Sequence, residues 1–317
     1  MTLKKSIPWT ALGPWFALLL ACTFFASQTD RFLTGENFSL VLQQIMVVGV
    51  LAIGQTLIIL TAGIDLSCGM VMALGGIVMT KFATELGLSP ALAMLCGVAA
   101  TCAFGLLNGL LVTKFKLPAF IVTLGTMNIA FAVTQIYSQA QTVNDLPAAL
   151  TFLGQTFSIS GTQVAWGTCL MIALYALVWR GLTDTAPGRH IYAVGNNAEA
   201  ARLTGISVDK VLISVYTLAG LFYGIAAILS VSRTGVGDPQ AGQTENLDAI
   251  TAVVLGGTSL FGGRGILLGS LVGAVIVGVF RNGLTLMGVA SVYQTLVTGV
   301  LVILAVAADQ MSHKGAR

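Results

Sequence analysis

The sequence predicts an all-α integral membrane protein of about ten transmembrane helices. Three observations carry that expectation: scarce charge, many long apolar runs, and abundant glycine. Of 317 residues, 9% are charged and 56% hydrophobic, and the mean hydropathy is +0.90. A soluble domain carries about 25% charged residues. This composition excludes a secreted enzyme, a nucleic-acid-binding domain and a disordered tail, and it makes membrane lipid the natural solvent. One span needs about 20 apolar residues. The apolar residues together with the 37 glycines suffice for roughly ten spans at that length.

Uncharged apolar runs cover residues 7–29, 38–62, 68–80, 86–113, 117–137, 162–179, 211–232, 249–262, 265–280 and 283–308. Lys4 and Lys5 precede the first run, but its length and Pro8 and Pro14 read as a retained helix rather than a cleaved signal. The run 249–262 is short and is read either as a full crossing or as a re-entrant piece. Inner-face loops of membrane proteins are enriched in Lys and Arg. With the N-terminus in the cytoplasm and ten crossings, only Arg31, Lys81, Arg233 and Arg281 fall outside; the other eleven of the fifteen basic residues fall inside. Both termini are then cytoplasmic. Residues 1–317 form a single transmembrane domain, with 138–161 as an outer polar segment and 180–210 as the one sizeable cytoplasmic loop. The five cysteines show no metal spacing and read as small packing residues. No metal site and no cofactor is expected.

Small residues let helices approach closely in lipid. Gly265, Gly269 and Gly273 recur every four residues, as do Gly105 and Gly109, which suits either a static seam or a moving one. Glycine pairs at 256–257 and 262–263 bracket the short eighth run, as at broken helices beside a pathway. Asn108-Gly109-Leu110 is echoed by Asn282-Gly283-Leu284, five spans later. An odd separation implies two inverted five-helix halves.

Four segments carry chemistry. Residues 52–67 include Gln55, Thr56 and a turn with Asp65, placed at the inner face. Asp65 or Ser67 there can cap the third span, or Asp65 can take part in gating or solute passage. Residues 108–128 contribute Asn108, Thr123 and Asn128, which either meet solute hydroxyls or bond to neighbouring helices. In the inner loop, Asn197 can cap a short helix through Glu199, Ala200, Ala201, Arg202 and Leu203 that stops at Gly205, read as a surface loop or as a docking helix. Residues 247–265 end in a glycine-rich turn without the G-x-x-x-x-G-K-[ST] phosphate pattern. Glu245 and Asp248 before it read as a solvated outer end or a place for a partner to pair. No run contains Asp or Glu, which argues against an ion-coupled transporter. Nothing resembles a catalytic cluster, so no enzyme is expected.

Long blocks of the chain resemble the permease subunits of bacterial ABC importers for monosaccharides, the ribose-type family. Residues 63–69 match its GIDLSVG block except at Cys68, and 108–127 match NG-x-LV…P-x-FI-x-TLGTM. Residues 188–206 match GR-x-IYA-x-G-x-N-x-x-AA-x-x-x-GI, 247–265 match LDAI-x-AVVLGGTSL-x-GG-x-G, and 282–289 match NG-x-x-L-x-GV. The chain departs at Phe131–Ala132 and at Thr244-Glu245-Asn246, which bears on the identity of the sugar. The resemblance implies a bacterial inner-membrane permease translocating a pentose or hexose. Its alternative solutes are a deoxysugar, polyol or furanone-type signal. It further implies a cytoplasmic ATP-binding subunit, a periplasmic sugar-binding protein, and a second permease copy or paralogue completing a pore, with no nucleic-acid partner. The pattern Glu199-Ala200-Ala201…Gly205 is similar to the loop by which importer permeases meet their ATPase. This assigns coupling to Gly188, Arg189, Tyr192, Gly195, Asn197, Glu199, Ala200, Ala201 and Gly205. The polar span residues Gln55, Thr56, Asp65, Asn108, Thr123, Asn128 and Gln294 are the expected solute pathway.

Overall fold

The computed structural model describes residues 13–159 and 161–314. Lys4, Lys5, Pro8 and Arg317, used above for sidedness, lie outside them. Thirteen helices follow one another: α1 (Gly13–Gln28), α2 (Gly35–Leu60), α3 (Cys68–Thr84), α4 (Pro90–Lys114), α5 (Ala119–Ser138), α6 (Ala148–Thr151), α7 (Trp166–Asp184), α8 (Ala186–Asn196), α9 (Ala198–Leu203), α10 (Val208–Thr234), α11 (Glu245–Leu255), α12 (Leu267–Leu286) and α13 (Ser291–Lys314). Among the described residues, α2, α4, α5, α7, α10 and α12 are long and apolar enough to cross a membrane, and α1, α3 and residues 291–307 of α13 are shorter apolar helices.

Their outward faces are apolar because lipid, not water, is the solvent. Leu95, Ile136, Leu177 and Ile303 are each more than 60% exposed, a surface that would aggregate in water. The core lies around α2, in which every residue from 45 to 60 is buried. Tyr175 of α7 donates to the Gly49 carbonyl at 2.9 Å, and Thr56 of α2 donates to Ser270 of α12 at 2.8 Å. Gly105 and Gly109 bring α4 onto the backbone of α10 at Tyr216, Gly220 and Ile213. Gly269 and Gly273 do the same for α12 against Gly256 and Ala252. Gly265, expected on that face, instead precedes α12 and packs on Thr258.

The two halves echo one another. α3 packs against α4, α5 and α10, while α11 packs against α12, α13 and α2. α2 and α10, the central helices, run antiparallel: the end of α2 at Leu60 meets α8, and α10 leaves α9 for the opposite end of the bundle.

Three expectations are corrected. The eighth run, read as a crossing or as a re-entrant piece, is not one continuous helix. α11 stops at Leu255, and residues 256–266 are irregular, with Gly257, Gly262, Gly263 and Gly265 at positive φ. Its 11 residues rise only about 16 Å, half of the hydrocarbon core. The sixth run starts as a strand, β2 (Thr162–Ala165), paired antiparallel with β1 (Thr156–Ile159). Polar, β-branched residues there make a small hairpin at the bundle end, within a fold that is otherwise helical. Finally, Arg281 and Asn282, read as a loop between the last two runs, lie inside α12, and the turn falls at 287–290. Arg281 is tolerated there because it pairs with Asp248 at 3.0 Å.

Candidate functional site: a docking helix pair and a buried polar turn

The loop expected over 180–210 is two short helices. Thr185 accepts a hydrogen bond from the Gly188 amide and Pro187 occupies the first turn, so α8 starts where its sequence dictates. α8 was not foreseen as a helix, although its Ile191, Val194 and Gly195 recur at helical spacing on one buried face. Gly188 lies against the backbone of α7 at Gly181 and Leu182. Gly195 touches the carbonyl of Leu60, which also accepts from the Gly263 amide at 2.9 Å. Tyr192 donates to the Gly265 carbonyl at 3.1 Å. α8 is therefore latched to the last turn of α2 and to the irregular segment after α11. Beside this latch, Ala62 holds φ 61°, a left-handed conformation that costs an L-residue about 1–2 kcal/mol.

α9 begins and ends as expected. The Asn197 side chain accepts from the Ala200 amide at 3.0 Å. Gly205 has φ +88°, and the Ile206 amide reaches back to the Ala201 carbonyl at 3.1 Å, the glycine-dependent helix stop. Ala201 is buried against Val194 and Val208. Arg189, Asn197, Glu199, Ala200 and Gly205 are exposed, and Glu199 pairs with Arg202 at 3.1 Å. Such an exposed pair contributes about 0–1 kcal/mol. Leu203, expected only as a member of this helix and given no coupling role, is its last residue and 82% exposed. The expected coupling set thus divides into an outward surface, Arg189 on α8 with Asn197, Glu199, Ala200 and Gly205 on and around α9, and an inward latch formed by Gly188, Tyr192, Gly195 and Ala201.

The second arrangement is the turn between α2 and α3. Asp65 was placed at the inner face, yet it is 1% exposed and accepts from Tyr223 at 3.0 Å. Tyr223 lies roughly 22 Å along α10, a helix roughly 40 Å long. After Leu60 the chain folds back into the bundle, and α3 starts at depth. A bare carboxylate there would be expensive. It is offset by three donors: the Ser67 amide at 2.7 Å, the Ser67 hydroxyl at 2.6 Å and Tyr223. Asn108 donates to Ser67 at 3.1 Å, Gln55 to the Asp65 carbonyl at 2.5 Å and Thr123 to the Ile64 carbonyl at 3.1 Å. Gln55, Asp65, Asn108 and Thr123 are thus brought together. Thr56 faces the other way, toward Ser270. Asn128 is exposed on α5 and bonded to Leu124, and Gln294 binds Thr285 and Val289 at the α12–α13 turn. Tyr223 was missed, and Ser67, read only as an alternative cap of the third span, instead donates to Asp65. Tyr216 and Tyr223, seven apart on one face of α10, were the readable sign.

An apolar-faced helical bundle with polar groups at depth, and a helix pair at one end, has the form of a multi-pass membrane protein. The comparisons agree. Residues 37–306 match the family model described as branched-chain amino acid transport system / permease component. A fructose import permease protein of Rhizobium meliloti is 45% identical over 90% of this chain and 80% of its own length. A ribose import permease protein of Escherichia coli strain K12 is 39% identical, covering 92% and 91%. A D-allose transport system permease protein of the same strain is 36% identical, covering 96% and 93%.

The chain belongs to this permease family, among the ribose-type ABC import permeases, and is a multi-pass inner-membrane protein. As the permease component of an ABC importer it works with a separate ATPase and a solute-binding protein.

Proposed function

We propose that this chain carries a monosaccharide, a pentose or hexose, across the bacterial inner membrane, driven by the ATPase. The observation that carries the reading is near full-length similarity to permeases named for fructose, ribose and D-allose, at 36–45% identity. A second copy or a paralogue completes the pore. Both termini and the α8–α9 pair face the cytoplasm, which agrees with the excess of basic residues on that side. The exposed side of α9, with Arg189, Asn197, Glu199, Ala200 and Gly205, meets the ATPase. The latch through Gly188, Tyr192, Gly195 and Ala201 passes its movement to α2. The Asp65 cluster, with Gln55, Asn108 and Thr123, forms the hinge-side wall of the solute path, while Thr56, Asn128 and Gln294 line it elsewhere. The test is uptake of labelled D-fructose, D-ribose, D-allose and D-galactose by cells lacking their own sugar importers and expressing the complete system. Accumulation of at least one supports the reading, and accumulation of none refutes it.

A further inference from the structure

Two cavities share a wall at the end of the bundle away from α8 and α9. The first, about 200 Å³, lies between α2, α11 and α12 and is lined by Gln44, Arg233, Glu245, Asp248 and Arg281. The second, about 240 Å³, is also bounded by Asp248 and Arg281 and adds Gln294. Each has room for several waters at about 30 Å³ apiece. Their depth follows from α11: Asn246, beside Glu245, donates to the Leu66 carbonyl at 3.2 Å, next to the buried Asp65 turn. Four ionisable side chains converge on these cavities: Asp248 is buried, Glu245 half-buried, and Arg233 and Arg281 exposed. A buried carboxylate in a membrane protein is costly, and it marks a solute route more often than packing.

The pairing of these groups is incomplete. Arg281 binds Asp248 at 3.0 Å, and Asp248 is buried. Glu245 accepts a 3.3 Å bond from the Thr244 amide, and among the described residues no ion pair engages its carboxylate. Among the described residues, no hydrogen bond or ion pair engages the Arg233 guanidinium. The Asp65 cluster is the contrast: its carboxylate is already filled by three donors and has little left to offer a ligand.

We propose that these cavities are the subsite at which the permease holds a neutral polyhydroxylated solute, a single sugar ring, during passage. The inference rests on the transport reading above. A hydroxyl both donates and accepts, so it needs facing groups of each kind. Arg233 and Arg281 supply fork-shaped donors for adjacent oxygens, Glu245 and Asp248 accept, and Gln44 and Gln294 do both. Two positive and two negative groups cancel, so neither a sugar acid nor an amino sugar is drawn in preference to a neutral one. Val47, Val48 and Ala274 give the apolar wall that a C–H face of the ring needs.

The test uses proteoliposomes containing the whole complex, measuring labelled sugar delivered and ATP hydrolysed together for D-ribose, D-fructose, D-allose and D-galactose. Glu245→Gln and Arg233→Gln, neither of which breaks the Arg281–Asp248 pair, are expected to lower sugar moved per ATP by roughly ten-fold, the loss of one charge-assisted hydrogen bond. A packing defect would lower both quantities in proportion and leave their ratio unchanged; that result in both variants overturns the subsite. An active wild type whose variants keep full sugar per ATP overturns it equally. A wild-type complex that moves none of the four sugars overturns the transport reading, and the subsite with it.

Discussion

Replacing Gly195 with alanine probes the joint between the docking helices and the bundle. The new β-carbon would collide with the Leu60 carbonyl oxygen and stand 2.7 Å from the Gly263 nitrogen and 2.8 Å from the Leu60 carbonyl carbon. Carbon contacts are comfortable at about 3.5–4.0 Å, and each atom here is backbone, so none can rotate away. α8 must lift from α2 by on the order of 1 Å, a distance that also strains the bond from Gly263 to Leu60. Overpacking of this kind costs about 1–3 kcal/mol. Gly125→Ala in α5 is the matched control: nothing lies within 4 Å of its β-position, and alanine in a helix interior gains up to about 1 kcal/mol over glycine. Thermal melting of the purified permease and ATP-driven uptake by the complex are the assays. Gly195→Ala should melt lower and transport poorly, while Gly125→Ala should melt at or above the wild-type temperature. Wild-type melting and uptake from Gly195→Ala would refute the idea that this joint is rigid.

Tyr223→Phe should destabilise by about 1.5–3 kcal/mol, because it removes one of three donors from a buried carboxylate; an unchanged melting temperature would show that Tyr223 does not support Asp65. Glu199→Lys should leave melting within about 0.5 kcal/mol of wild type, since the side chain is exposed, yet abolish uptake; normal uptake would remove α9 from the ATPase contact. A reporter fused after residue 150 should read periplasmic and one fused after residue 195 cytoplasmic, and the reverse pattern would invert the topology.

Local rules made the docking helix readable in the sequence: Asn197 is a strong cap, and Gly205 takes a φ that other residues resist. The lipid-facing character was equally plain, because it depends only on composition. Depth was not readable. Counting each apolar run as one crossing put Asp65 at a surface and left open whether 249–262 crosses or is re-entrant. Only tertiary packing reveals that α3 and α11 start inside the bundle. The expectation that no carboxylate lies at depth failed for the same reason. Asp65 sits between runs in sequence but between helices in space, where Ser67 and Tyr223 bond it. Arg281 misled in the opposite direction. A charge looks like a loop until its partner, Asp248, 33 residues away, is seen beside it.

The central claim is that the α8–α9 pair receives the ATPase at one end of the bundle while solute enters at the other. The direct measurement places a photo-crosslinking amino acid at Ala200, exposed on α9, and at Phe152, beside the β-hairpin at the opposite end, in the assembled importer. The account predicts that position 200 crosslinks to the ATPase and position 152 does not. An ATPase adduct from position 152, or none from position 200 in a complex that still transports, would contradict it.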